Sequence, residues 1–295
     1  MERKAKELGI GNTLHFIDPQ DSTDPSQGSG GYLTPKDAAA IEQLGLGDRN
    51  LVDIHCDAGG AIDIAESLFA KFPNATMGAV NAETNAGTHS MRRALAEATD
   101  IHGFFNCQHC GRIKLRAASF CAGREGHLWK PDYLLDQGIT TFLPNMSWLQ
   151  PPGHVHAMIA QTWQQNGLEV TPRGAYMGSR DYDDAEIGAS AQASADGHTV
   201  VVRITNAGFT EANVTLRVEG FSGRTRPKTW LLEAYDGQHE FPDREAVNPH
   251  SNPDAIIPKV NSSRLAFQGV AELGADRVHV PAFSYLVLEY RAFEG

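Results

Sequence analysis

The sequence predicts an α/β unit built on parallel strands, followed by an all-β unit of antiparallel strands. Three observations predict it. Up to about residue 170, short continuous β-prone runs alternate with amphipathic helical segments, the pattern of buried parallel strands covered by helices. After Gly174 the helical periodicity stops, and runs of period-two character separated by turn residues take over. Within the first of these regimes, Val80-Asn81-Ala82-Glu83-Thr84-Asn85-Ala86-Gly87-Thr88-His89 ends a β-prone run on a carboxylate and breaks at a glycine, just before a helical pattern begins. An α/β barrel places a chemical group at the mouth of its sheet in this way.

Along the chain, Leu14-His15-Phe16-Ile17 suits a short strand, and the Asp/Ser/Gly/Pro-rich run from Asp18 to Gly31 suits a loop. Residues 1–33 form a poorly patterned lead-in. Thr34-Pro35-Lys36-Asp37 resembles a capped helix start, and Ala38, Ile41 and Leu44 or Leu46 give one apolar face, so a helix is expected over 35–44. Leu51, Val52 and Ile54 make a compact strand that runs to His55. Ile62, Ala65, Leu68 and Phe69 then give a helical stripe that Pro73 closes. Ala75 to Glu83 is the next strand and 88–101 the next helix. In that helix Met91, Ala94, Leu95, Ala98 and Ile101 form a stripe, while Arg92, Arg93, Glu97 and Asp100 are expected to face outward. Ile113 to Cys121 reads as a further strand. A long loop follows, and Pro151-Pro152-Gly153 opens a helix with Val155, Met158, Ile159, Thr162 and Trp163 on one side.

In the second part, Ile187 to Ala193 and Thr199 to Thr205 flank Asp196-Gly197, a signal for a type I′ hairpin. Further strands are expected over 213–218, 229–234, 265–270 and, as one piece, 278–290. The expected architecture is therefore a partial (β/α)8 TIM-type barrel of about three to four strand–helix units over 34–174. An antiparallel β-sandwich over 175–295 follows, with the boundary near 173–182.

Composition narrows the function classes. In 295 residues, a 41% hydrophobic and 21% charged content suits a chain that buries a sizeable core. A formal charge of −11 argues against a nucleic-acid surface or a basic membrane-binding face. It suits a neutral substrate such as a sugar. No stretch approaches the roughly 18 apolar residues of a membrane span. Met1-Glu2-Arg3-Lys4 is charged with no apolar run behind it, so no signal peptide is expected and the compartment is left open. The four Asn-x-Ser/Thr sites at Asn74, Asn145, Asn213 and Asn261 would matter only on a secreted chain.

Several blocks resemble glycoside hydrolase family 51. Ala79 to Asn85, His89 and Arg93-Ala94-Leu95-Ala96-Glu97-Ala98 are similar to its nucleophile strand and following helix. Phe142-Leu143-Pro144-Asn145-Met146-Ser147-Trp148-Leu149-Gln150-Pro151-Pro152-Gly153 is similar to its approach to the last barrel helix. Asn252-Pro253-Asp254-Ala255-Ile256-Ile257-Pro258 and Val280-Pro281-Ala282-Phe283-Ser284 are similar to the end of its all-β domain. The blocks are colinear and cover about 50 to 292. The resemblance implies a retaining α-L-arabinofuranosidase that releases arabinofuranosyl residues from plant-type polysaccharides, with Glu83 as nucleophile and no cofactor. It implies substrate contacts at the barrel rim, where His55 ends the neighbouring strand. Two features depart from the family. The chain has room for only part of the eight-unit barrel. The Asn-Glu motif that marks the family's general acid/base has no counterpart before Glu83. The expectation is therefore a chain corresponding to the C-terminal part of such an enzyme, lacking the acid/base. Its strand at 51–56 would present an open sheet edge that could pair with a second copy in a homo-oligomer.

Each candidate residue has a plainer reading. Retaining hydrolysis needs two carboxyl groups about 5–5.5 Å apart, one of them a nucleophile. Glu83 fits that role, or it caps the helix that follows. His55 either borders the nucleophile or is a satisfied strand histidine. Asn85 and His89 either orient Glu83 or shape the turn. Trp148 offers an indole face to a sugar, or packs under the Pro151-Pro152 corner, and Gln150 fixes that corner through backbone hydrogen bonds or contacts the substrate. Cys107, Cys110, Cys121, His109 and His127 have a spacing that suits zinc, but only one Cys-x-x-Cys is present and Cys121 has apolar neighbours. No metal is expected. Besides the glycosidase, two other readings stand: a non-catalytic carbohydrate-binding or structural module, and a zinc-stabilised interaction module.

Overall fold

The computed structural model describes residues 15–17, 50–53, 77–81, 89–108, 113–118, 139–143, 145–171, 187–221, 226–234, 243–265, 267–270 and 275–292. The expected helix over 35–44, the expected helix carrying Ile62, Ala65, Leu68 and Phe69, and the expected boundary near 173–182 lie outside them. The described residues are mostly sheet, with two helices.

Strands β1 (His15–Ile17), β2 (Asn50–Asp53), β3 (Met77–Asn81) and β4 (Ile113–Ala118) form a parallel sheet whose spatial order is their chain order. Parallel neighbours need crossover connections and not tight turns, and these strands are correspondingly far apart in the chain. The pairing of Phe16 with Leu51 covers the edge expected to be open where the expected strand at 51–56 is described, because β1 lies alongside β2 over Asn50–Val52. Helix α1 (Met91–Gln108) follows β3 and runs seven residues beyond its expected end at 101.

Where a loop was expected before the proline corner, β5 (Thr140–Leu143) and β6 (Met146–Leu149) make an antiparallel ribbon. Helix α2 (Pro151–Gln161) follows directly, with proline in its first turn. Gly153 is required by close approach. A Cβ there would lie 2.5 Å from the Ile139 carbonyl oxygen, which accepts the Gln150 N–H at 2.9 Å. Thr162 ends the helix by donating its hydroxyl to the Met158 carbonyl at 2.7 Å.

The remaining strands form two antiparallel sheets around one core. Six strands run in the order β12 (Lys259–Val260), β11 (Lys228–Glu233), β15 (Ser284–Arg291), β9 (Thr199–Asn206), β8 (Ile187–Ala193) and β7 (Asn166–Leu168). Three run in the order β10 (Ala212–Arg217), β14 (Ala275–Val280) and β13 (Phe267–Val270). Val200, Val202, Ile204, Leu286, Leu288 and Tyr290 of the larger sheet share a buried cluster with Val278 and Val280 of the smaller one. Strand periodicity turns the alternate residues, such as Val201, Arg203, Thr205 and Tyr285, to the opposite face, where α1 and α2 cover them. The six-stranded sheet is thus a middle layer buried on both faces, which is why β9 reads Val-Val-Val without alternation.

Two local expectations change. The β8–β9 connection is not type I′, a turn that needs positive φ at both central residues. Only Gly197 has it (φ 71°), and Ser194 O accepts the Gly197 N–H at 3.1 Å. The expected single strand over 278–290 breaks at Pro281-Ala282-Phe283, where Phe283 adopts φ 42°. That strained residue is held by Asn206, whose side-chain amide donates to the Val280 and Pro281 carbonyls at 3.2 and 3.0 Å. Phe209 packs edge-on against its ring.

Helix α1 also differs from its expected amphipathic pattern. Arg93 and Glu97, expected to face water, are buried. They pair with each other one turn apart, and His156 of α2 reaches the second Glu97 oxygen at 3.1 Å. Two buried charges are tolerated only when paired in this manner. Arg92, by contrast, is exposed.

The opposite side of α1 docks on the six-stranded sheet through polar contacts. His102 Nδ1 lies 2.7 Å from Ser190 Oγ, and its ring is tilted against Tyr285. Asn106 donates to the Ala189 carbonyl at 3.1 Å. Arg203 crosses from the sheet to the helices, donating to Gln192 Oε1 and the Thr162 carbonyl at 2.8 Å each, beneath the Phe105 ring. Burial, reinforced by the Arg203 guanidinium, lowers the His102 pKa from 6.5 to about 3. The folded protein therefore holds His102 neutral while the unfolded chain protonates it below pH 6.5, so this contribution is complete above pH 6.5 and is lost toward pH 3. Between pH 7 and 4, the unfolding free energy of the natural sequence is expected to fall by about 3 kcal/mol more than that of His102→Gln, measured by chemical denaturation. Parallel pH profiles would show that His102 does not act in this way.

Candidate active site

The parallel sheet sets the geometry of the expected site. β2 and β3 are neighbours in register, with Asp53 opposite Val80, so both leave the sheet at the same edge. His55 follows the end of β2 by two residues, and Glu83 follows the end of β3 by two. The pairing of β3 with β4 shifts register between Ala79 and Val80, leaving Arg116 without an opposite residue. Such irregularities add local twist and are concentrated at sheet rims and beside active sites. Glu83, His55 and Asn85 themselves lie outside the described residues, as do Cys110, Cys121, His109 and His127. His89 is half-buried just ahead of α1.

The start of α1 shows how the segment after β3 is anchored. A helix leaves its first N–H groups without partners inside the helix. Here Met91 N–H donates to the Ala246 carbonyl at 2.9 Å and Arg92 N–H to the Arg244 carbonyl at 2.7 Å. Ser90 adds a bond from its hydroxyl to Glu245 at 3.2 Å. The partners of these two N–H groups therefore come from the backbone of the segment between β11 and β12, far away in sequence.

The same segment holds Trp148 and Gln150. Trp148 is half-buried at the end of β6. Its Nε1 donates to the Asn248 carbonyl at 2.7 Å, and its ring centroid lies 6.0 Å from that of His250. The bond consumes the indole N–H and holds the ring, which remains partly exposed. Gln150 is buried, and it pairs with the Asn248 backbone as a neighbouring strand would. Its Oε1 accepts the Asn248 N–H at 2.9 Å and its Nε2 donates to the Asn248 carbonyl at 3.0 Å. Gln150 Nε2 also donates to Thr141 Oγ1 at 2.8 Å. This matches the role expected for Gln150 in fixing the corner. Sequence reasoning passed over Asn248. The signal available was the Asn248-Pro249 step, since asparagine side chains commonly satisfy loop backbone.

The electrostatics of this region are modest. Burial lowers the pKa of His154 on α2, and Asp254 opposes that shift. Among the described residues no group of three or more His, Cys, Asp or Glu side chains is placed to hold a metal ion. No described helix is long and apolar enough to cross a membrane.

Replacing Gln150 by leucine takes the partner of the Asn248 N–H away in a buried place and leaves the Asn248 carbonyl with Trp148 Nε1 alone. Unfolding free energy is expected to drop by about 2–4 kcal/mol, read by denaturant titration, while Leu at the exposed Gln161 changes it by less than about 0.5 kcal/mol. Equal small effects at both positions would show the clamp to be unimportant.

No protein-family model and no curated protein sequence matches the chain. Solved structures do. The family 51 α-L-arabinofuranosidase AbfB from Bifidobacterium longum is similar with a TM-score of 0.65 and 14% identity over 98% of this chain and 61% of that enzyme. The GH51 arabinofuranosidase of Xanthomonas axonopodis pv. citri gives a TM-score of 0.54 at 20% identity, covering 99% of this chain and 55% of that one. The catalytic domain of GH30 xylanase C from Talaromyces cellulolyticus gives 0.53 at 13% identity, covering 98% and 65%. The chain thus spans a little over half the length of these two arabinofuranosidases. At such identities the likeness is one of fold, and the fold is glycoside-hydrolase-like.

Proposed function

We propose that the chain is the nucleophile-bearing portion of a retaining α-L-arabinofuranosidase-like glycoside hydrolase acting on an arabinofuranoside-containing glycan. The observation that supports it most is the pairing of β2 with β3. Two parallel neighbours run out at one sheet edge immediately before His55 and Glu83, on a fold shared with family 51 arabinofuranosidases. In this reading the four parallel strands are part of a barrel over 34–174, and the antiparallel sheets form a sandwich over 175–295.

The chemistry follows from the residues. The Glu83 carboxylate attacks the anomeric carbon of an arabinofuranosyl unit as the bond to the leaving oxygen breaks, giving a covalent glycosyl ester. His55 and Asn85 hold the sugar hydroxyls and orient the carboxylate, and the Trp148 indole stacks on a sugar face. The leaving alkoxide needs a proton, and water must then be deprotonated to cleave the ester. A second carboxyl group performs both steps in retaining enzymes, and these 295 residues offer no recognisable candidate for it.

That deficit makes a sharp test. An aryl arabinofuranoside with an activated phenolate departs without protonation, whereas hydrolysis of the ester still needs a base. Stopped-flow absorbance is expected to show a burst of phenolate equal to the enzyme concentration, followed by slow turnover. Glu83→Gln should suppress the burst rate at least about 10³-fold. A natural sequence without a burst would exclude Glu83 as a nucleophile in this chain and favour a non-catalytic carbohydrate-binding role.

A further inference from the structure

Asn248 is buried, and each of its polar atoms is occupied. Its N–H and carbonyl pair with the Gln150 amide, and the carbonyl also receives Trp148 Nε1. Its side-chain Nδ2 donates to the Leu149 carbonyl at 2.9 Å and the Ile256 carbonyl at 3.0 Å, and Oδ1 accepts the Ile256 N–H at 2.7 Å. One residue therefore binds three consecutive residues at the end of β6 while closing its own loop. A few residues earlier, the Arg244 and Ala246 carbonyls take the first two N–H groups of α1. The backbone of residues 244–248 thus joins two places that belong to different parts of the chain, the start of α1 after the Glu83 segment and the Trp148 indole.

We infer that Asn248 is a positioning residue, through which the all-β part of the chain sets the orientation of the Trp148 indole at the sugar site. This rests on the reading of Trp148 as a sugar contact. An indole whose N–H is already bonded to a fixed carbonyl meets its ligand in one orientation, so little rotational freedom is lost on binding. Without the Asn248 side chain the 248 backbone keeps its Gln150 bonds but is no longer tied to Leu149 and Ile256, so the carbonyl that anchors the indole is held less firmly although the Trp148 side chain is unchanged. The role is therefore distinct from general support of the fold, since it acts on one ring.

The test uses the full chain labelled with 5-fluorotryptophan, with the Trp148 fluorine resonance among the four tryptophans assigned through Trp148→Phe. In Asn248→Ala the Trp148 line is expected to shift and broaden, while the line of Trp230, buried in the six-stranded sheet, stays in place. Asn248→Asp, which keeps the size and the acceptor but loses the donor to the Leu149 and Ile256 carbonyls, is measured alongside in case the alanine variant fails to fold. An α-1,5-linked arabino-oligosaccharide should move the Trp148 line of the natural sequence, and its dissociation constant should rise roughly 10-fold in either variant. An unchanged Trp148 line in a folded Asn248 variant would overturn the inference. So would an unchanged dissociation constant. A Trp148 line that ignores the sugar in the natural sequence would instead overturn the reading of Trp148 as a sugar contact, with the Asn248 coupling still decided by the line shape of the variants.

Discussion

Helix α1 has to be satisfied on two sides at once, and much of the structure follows from that constraint. One side carries the Arg93–Glu97 pair and meets His156 of α2. The other presents His102 and Asn106 to the six-stranded sheet. A helix buried on two sides cannot be read as a simple amphipathic stripe, and its polar residues must find partners in the neighbouring layers or remain unpaired at a cost of several kcal/mol. The sheet answers with Ser190, Thr205 and Arg203 on its helix-facing side, while its other face is filled with aliphatic side chains. Arg203 makes the joint specific. Its guanidinium reaches the carbonyl that ends α2 and lies under Phe105 of α1, and among the described residues no carboxylate pairs with it.

A second constraint acts at the ends of elements. The first N–H groups of α1 and the backbone at the end of β6 both need partners, and the segment from 243 to 256 supplies them. The antiparallel part of the chain is therefore built into the environment of the candidate site. This arrangement explains why a segment without regular structure contains a residue as buried as Asn248. Loops seldom bury such residues unless every polar group has a partner.

Much of the fold was legible in the sequence because it rests on local pattern. β8 is found where Ile187 to Ala193 predicted it, and α2 begins at Pro151 as the Pro-Pro-Gly signal indicated. The short strand at His15–Ile17 was visible too, although its pairing with β2 was not. What escaped depended on distant partners. Arg93 and Glu97 looked like a solvated face because nothing local reveals that α2 and the sheet both cover α1. The break at Phe283 is enforced by Asn206, 75 residues away from Pro281, so 278–290 read as one strand. Asn248 finds Gln150 across 98 residues. For the candidate site, β2 and β3 could be read from strand pattern, although their described parts end at Asp53 and Asn81, two residues short of the His55 and Glu83 expected to close them, and Trp148 was singled out from its place before the proline corner. The residues that hold Trp148 could not be read in that way.

The central claim is that Glu83 forms a covalent bond to an arabinofuranosyl unit. The most direct measurement is intact-mass and peptide mass spectrometry after incubation with a slowly hydrolysed arabinofuranosyl inhibitor whose leaving group departs without protonation. The account predicts one added glycosyl unit per chain, carried on the peptide containing Glu83. An unlabelled chain, or a label on a different residue, would contradict it.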